Sequence, residues 1–200
     1  FVAYLNAVGG QDELVFDGAS VIYDSGGRLV TRGEAFREEL IIADLDIESV
    51  LRTRLRDPRP RKENTTILKE IGTSKRVDVS PQKAQKLDPL PARPTVDPIG
   101  EVEEVYRALV LGTYDYLSKS GFSKVLIGLS GGVDSALTAV VAADALGHKN
   151  VVGVAMPSRY SSEGSISDAK ELADVLGIEL WVVPIEPAHT AFSDMLESRF

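Results

Sequence analysis

Apolar and polar positions divide the chain into three stretches. Residues 1 to about 50 carry short extended runs. "YLNAVG" (4–9) and "DELVFDGASVIYD" (12–24) are strand-like, and "VIYDSGGRLVT" (21–31) sets Ser-Gly-Gly between two extended runs, a hairpin signal. "EELIIADLDI" (38–47) reads as a further strand with a charged exit. From 51 to 98 apolar periodicity fades and prolines recur at 58, 60, 81, 89, 91, 94 and 98, which marks a long connector.

From Ile99 onward helical and extended periods alternate. Val102, Val105, Tyr106, Leu109, Val110 and Tyr116 make a helical stripe, which predicts a helix over 102–117. Lys124 to Leu129 is short and rich in Val, Ile and Leu, as a buried strand is. Ala136, Leu137, Val140, Val141 and Ala145 then recur at three- and four-residue spacing, a helix from Val133 to Leu146 with Gly147 as its stop. Val151 to Met156 is a second strand. A helix follows from Ser165, with Asp168 as a capping-box signal, to Gly177, and Glu179 to Ile185 is a third strand. The βαβαβ order predicts an α/β domain on a parallel sheet, with ligands at the carboxyl ends of the strands. The loops after the first two strands, "SGG" (130–132) and "MPSRYSSEGS" (156–165), are expected to face one crevice.

The first of those loops carries chemistry. Ser130, Gly131 and Gly132 form a tight turn between a strand and a helix N-terminus, where free N–H groups and the helix dipole favour an anion. It is not a Walker A loop, since no Lys follows Gly132, and it lacks the third glycine of a dinucleotide fingerprint, since Ser135 stands there. The hydroxyls of Ser130 and Ser135 suit phosphate oxygens. Asp134 puts a negative charge where a phosphate would sit, which is reasonable if Mg²⁺ lies between them. A strand–helix turn with an Asp near the N-cap, needing no ligand, is the plainer alternative.

Composition narrows the classes. The 200 residues carry a formal charge of −8 and no cysteine, which excludes disulfides and Cys–metal sites and is compatible with the cytoplasm. No apolar stretch is long enough to span a membrane, and the acidic balance disfavours general nucleic-acid binding. Arg52, Arg54, Arg56, Arg59, Arg61 and Lys62 form a basic cluster without interleaved aromatic residues, so a solvated helix end or linker is favoured over an RNA-binding arm. His148 and His189 lack partners at ligand spacing, and Trp181 reads as a packing residue. Asp12, Glu13 and Asp17 suit a solvated turn better than a cation site.

The quoted "LIGLSGGVDS" (126–135) resembles the pyrophosphate loop of the ATP pyrophosphatase group, whose members split ATP into AMP and pyrophosphate. "MPSRYSSEGSISDAKELADVLGIE" (156–179) is similar to the segment after the second strand in glutamine-dependent NAD synthetases. "YLNAVGGQDELVFDGASVIYDSGG" (4–27) resembles the late part of the nitrilase-type glutaminase domain that precedes the synthetase domain in that family.

The resemblance implies an order of domains. Residues 1–50 would close a nitrilase-like α/β sandwich, 51–98 would connect, and 99–200 would open a Rossmann-like adenine-nucleotide domain. It implies an ATP site at Gly128, Leu129, Ser130, Gly131, Gly132, Val133, Asp134 and Ser135, joined by Met156 and Arg159 beside the adenosine, with Asp134 holding Mg²⁺. Tyr160 suits either ring stacking or the protein surface. The implied activity is amidation of deamido-NAD with ATP and glutamine-derived ammonia. Small molecules, and neither nucleic acid nor membrane, are the expected partners, and a homo-oligomer is expected. The family's Cys, Glu and Lys glutaminase residues would lie upstream, so Glu13 and Glu34 take no such role and the chain reads as an internal fragment. Another amidating or tRNA-modifying member of the group, or a non-catalytic nucleotide-binding module, remains open.

Overall fold

A computed structural model describes residues 1–56, 77, 88–91 and 95–197. In chain order its elements are β1 (Val2–Tyr4), β2 (Val8–Gln11), β3 (Leu14–Asp17), β4 (Val21–Tyr23), β5 (Leu29–Arg32), α1 (Ile47–Arg56), α2 (Glu101–Lys119), β6 (Val125–Gly128), α3 (Val133–Leu146), a 3₁₀ turn (His148–Asn150), β7 (Val151–Ala155), α4 (Glu163–Leu176), β8 (Glu179–Val182) and α5 (Glu186–Leu196). They fall into two units, one within 1–6 and 18–98, the other within 7–17 and 99–200.

The first unit holds an antiparallel sheet in the order β1-β4-β5. The hairpin expected at Ser-Gly-Gly is present. Asp24 Oδ1 accepts from the amides of Gly26 (2.8 Å) and Arg28 (2.9 Å), and Gly27 takes φ +81°, which a side chain would resist. These amides, first that of Arg28, hold the Asp24 carboxyl below its ordinary value.

"EELIIADLDI" is not a strand. Phe36, at φ +61°, turns the chain after the Gly18–Ala35 bridge, and Leu40 and Ile42 beyond it are exposed. Its last residues open a helix instead. Asp46 caps α1, accepting from Ser49 N at 3.2 Å and pairing with Arg52 at 2.7 Å. Arg52, Arg54 and Arg56 therefore lie on α1, whereas Arg59, Arg61, Lys62 and the prolines at 58, 60, 81 and 94 lie outside the described residues.

The second unit is the expected α/β arrangement, a parallel sheet β6-β7-β8 with Val125 opposite Val151 and Val152 opposite Glu179. Small residues let α3 and α4 lie close over β7: Ala139, Ala142, Ala169 and Ala173 join Leu129, Val151, Ala155 and Ile178 in one buried cluster. Gly147 ends α3 as expected. α4 begins two residues before Ser165, because Ser162 is the cap and accepts from Ser165 N at 3.1 Å. The third strand stops at Val182 ahead of Pro184, and α5 follows, a helix that the sequence reading did not include. Trp181 is 44% exposed on β8, an edge strand, with Nε1 donating to Glu179 at 2.7 Å; it is less a packing residue than expected.

The same unit takes in β2 and β3, a hairpin turning at Asp12 and Glu13 and packed on α2. The contact is close because both sides are glycine: a Cβ on Gly10 would come 3.0 Å from Gly112 Cα. Asp115 Oδ2 accepts from Gly10 N at 2.7 Å, and Lys119 Nζ donates to Gly10 O at 2.6 Å. That amide, then Lys119, keeps the Asp115 carboxyl below its ordinary range.

Candidate functional site

The site begins where β6 runs out. Leu129, buried, is fixed by its amide donating to Val154 O at 2.8 Å, and the next three residues turn the chain into α3. Gly131 sits at φ +78°, and a Cβ there would come 2.6 Å from both Cα and O of Ser165. Only glycine satisfies that backbone and that approach at once. The turn is also braced from within. Ser135 Oγ accepts from Ser130 N at 3.2 Å, lies 3.0 Å from Ser130 Oγ and donates to Gly132 O at 2.9 Å; Ser130 Oγ accepts from Gly132 N at 3.3 Å. Both hydroxyls are thus collected at the N-terminus of α3, where a helix leaves its first amides without intrahelical partners.

The serine-rich loop forms the facing wall. Gly128, Leu129 and Ser130 line a cleft of about 450 Å³ together with Met156, Pro157, Tyr160, Ser161, Ser162, Ser165 and Ile166. That volume lies within the range of small-molecule sites. A smaller recess of about 140 Å³, which shares Leu129, is lined by Gly131, Gly132, Val133 and Ser135 with Asp168 and Leu172. The two β–α loops therefore meet at one crevice.

Of the ten residues expected at the site, Gly128, Leu129, Ser130 and Met156 line the cleft and Gly131, Gly132, Val133 and Ser135 the recess. Asp134 and Arg159 are in neither lining. Asp134 stands exposed in the first turn of α3, and among the described residues no group of three or more His, Cys, Asp or Glu is arranged to hold a metal ion. A single carboxylate beside a turn of amides and hydroxyls is nonetheless a donor set that Mg²⁺ accepts when a nucleotide supplies the other oxygens.

Arg159 points elsewhere. Its amide donates to Glu186 Oε2 at 3.0 Å, its Nε to Oε1 at 2.5 Å and its Nη2 to Thr190 Oγ1 at 3.4 Å. The side-chain bond from Arg159 is the foremost reason that the Glu186 carboxyl sits below its ordinary range and the guanidinium above its own. Tyr160, exposed, sets its ring edge-on to His189 with centroids 5.6 Å apart. Glu186, His189 and Thr190 were missed as neighbours of this loop. Glu-Pro at 186–187, a helix-start signal, was the readable hint. His148 lies exposed in the 3₁₀ turn.

Fold and site together define an α/β protein with a glycine-serine turn at a helix N-terminus and a cleft of about 450 Å³ at the carboxyl edge of a parallel sheet. Residues 105–199 match the family model described as NAD synthase. The chain resembles glutamine-dependent NAD(+) synthetases along its whole length: it is 45% identical to that of Thermotoga maritima and 45% identical to that of Aquifex aeolicus, covering 100% of this chain and 34% of the relative in each case. The chain thus spans about a third of the length of the curated relatives it matches. A solved structure of the Acinetobacter baumannii glutamine-dependent NAD+ synthetase in complex with adenosine diphosphate superposes with a TM-score of 0.70 at 30% identity, covering 98% of this chain and 30% of that one. The Cytophaga hutchinsonii enzyme shares the fold, at a TM-score of 0.67 and 17% identity. Among the described residues no helix is long and apolar enough to cross a membrane.

Proposed function

We propose that the protein carrying this chain amidates deamido-NAD to NAD with ATP and glutamine-derived ammonia. The observation that carries the reading is the Ser-Gly-Gly turn at the N-terminus of α3, opening beside a cleft of about 450 Å³ within the segment that matches the NAD synthase family. In this reading the nicotinate carboxylate attacks the α-phosphorus of ATP and pyrophosphate departs. Ammonia then attacks the acyl carbon, AMP departs and the amide remains. The amides of Gly131 and Gly132 and the hydroxyls of Ser130 and Ser135 hold the departing pyrophosphate, whose charge grows as the bond breaks. Gly128, Leu129 and Met156 border the nucleotide, and Val133 continues the turn into α3. Asp134 holds Mg²⁺, which when bound offsets phosphate charge.

Residues 1–50 serve, in this reading, as the end of a nitrilase-like glutaminase domain, 51–98 as connector and 99–200 as the start of the synthetase domain. A cytoplasmic homo-oligomer with small-molecule ligands fits the same reading. The experiment supplies the whole protein with ATP, Mg²⁺, deamido-NAD and either glutamine or ammonia, and assays NAD and pyrophosphate. NAD from both donors supports it. Pyrophosphate release that needs another acceptor, such as a tRNA, transfers the site to a different amidating or tRNA-modifying chemistry. ATP binding without pyrophosphate release leaves a binding module. Asp134→Ala is expected to cut NAD formation at least 100-fold, on the order of the electrostatic effects at such sites, while glutamine hydrolysis survives; equal loss of both would sink the assignment of Asp134.

A further inference from the structure

The loop that walls the cleft is held from outside itself. Within the loop the bonds are short-range: Ser158 N donates to Ser161 Oγ at 3.0 Å, and Ser161 N to Ser158 O at 3.0 Å. Its tip is tied instead to α5. Arg159 reaches the Glu186 carboxylate through its backbone amide at 3.0 Å and through Nε at 2.5 Å, with Nη2 also on Oε1. One residue on, Tyr160 lies edge-on to His189. Glu186, His189 and Thr190 fall three and four residues apart, on one face of the first turns of α5.

That face is fixed relative to the sheet. Val183 N donates to Ala155 O at 2.8 Å and Ile185 N to Pro157 O at 3.1 Å, so the exits of β7 and β8 run zipped together into α5. A loop fastened to this base holds Met156, Tyr160 and Ser162 at a set distance from Ser130 across the cleft. The guanidinium is spent on a forked, charge-assisted contact with a carboxylate.

We propose that Arg159 is a positioning residue: with Glu186 it latches the serine-rich loop onto α5 and thereby sets the width of the nucleotide cleft, without touching the nucleotide itself. The inference rests on the nucleotide reading of that cleft. Glu186, remote from the phosphate turn in sequence, becomes as important to nucleotide affinity as Arg159.

The test uses the whole protein with Arg159→Gln, Glu186→Gln and the double variant. Amide exchange of residues 157–162 is followed without nucleotide, and KM for ATP and kcat are measured with the NAD assay. Each single variant is expected to speed exchange and raise KM for ATP by about fivefold, the upper end for exposed ion pairs, with kcat within about twofold. The double variant is expected to add little more, because both changes break one contact. A rise in KM for Arg159→Gln alone would make it a direct nucleotide ligand and overturn the latch. Unchanged exchange in both variants, or a fall in kcat with KM unmoved, would overturn it as well. If the wild-type protein shows no ATP-dependent activity, the nucleotide reading fails by that result, and the exchange data alone then decide the latch.

Discussion

The turn after β6 and the loop after β7 lead into helices at the same edge of one sheet, yet they keep their shapes by opposite means. The first is braced internally, by hydroxyls within five residues of one another. The second takes its shape from α5, 27 residues away along the chain. A locally braced turn is pre-organised before any ligand arrives, which suits an anion of fixed geometry. A loop held by remote contacts can be loosened without disturbing the fold, which suits the wall of a cleft.

The sharpest way to break the first region is Gly131→Ala. The added Cβ meets backbone at 2.6 Å and forces an alanine to φ +78°. Together these cost about 3 kcal/mol, and nucleotide binding by calorimetry should weaken roughly 100-fold. Near-normal affinity would show that the turn relaxes and is not seated as described. Gly153→Ala comes next. Its Cβ would stand 2.6 Å from Leu129 Cδ1, displacing the residue that leads into Ser130. Leu129 is a side chain and gives way more readily, so about 1–2 kcal/mol of stability in a urea titration is expected.

Ser162→Ala removes the cap of α4 and should cost about 1 kcal/mol in the same titration. An unchanged midpoint would mean that another acceptor takes the Ser165 amide. The smallest effect is the pH dependence of the second region. Arg159 first, and His189 last, hold the Glu186 carboxyl below its ordinary 4.5. A depressed carboxyl stabilises its contact fully above that value and loses it as the pH falls through the lowered one. Wild type and Glu186→Gln should therefore differ in loop exchange at neutral pH and converge only in acid, once the pH has fallen through the lowered value. A difference that persists in acid would take the effect away from the carboxylate.

What was legible in the chain follows the same division. The βαβαβ order, the Gly147 stop and the glycine turn were readable because their causes are local: apolar period, a terminating glycine, a strand running into a helix. The hairpin at Asp24 was readable for the same reason. "EELIIADLDI" misled because an apolar run forms a strand only where the chain lies along a sheet, and here it turns at Phe36 and leaves Leu40 and Ile42 exposed. Arg159 misled because its guanidinium answers to Glu186, and no local pattern announces a partner 27 residues on. Ser165 looked like a cap because Asp168 follows it at capping-box spacing, but Ser162 stands earlier in the same serine-rich run and takes the role.

The β2–β3 hairpin packed on α2 bears on how the protein can be divided. In sequence the hairpin lies between β1 and β4, but by packing it belongs with the parallel-sheet unit. A piece begun at Ile99 would lack two of its own strands and leave Gly112, Asp115 and Lys119 facing solvent where Gly10 had been.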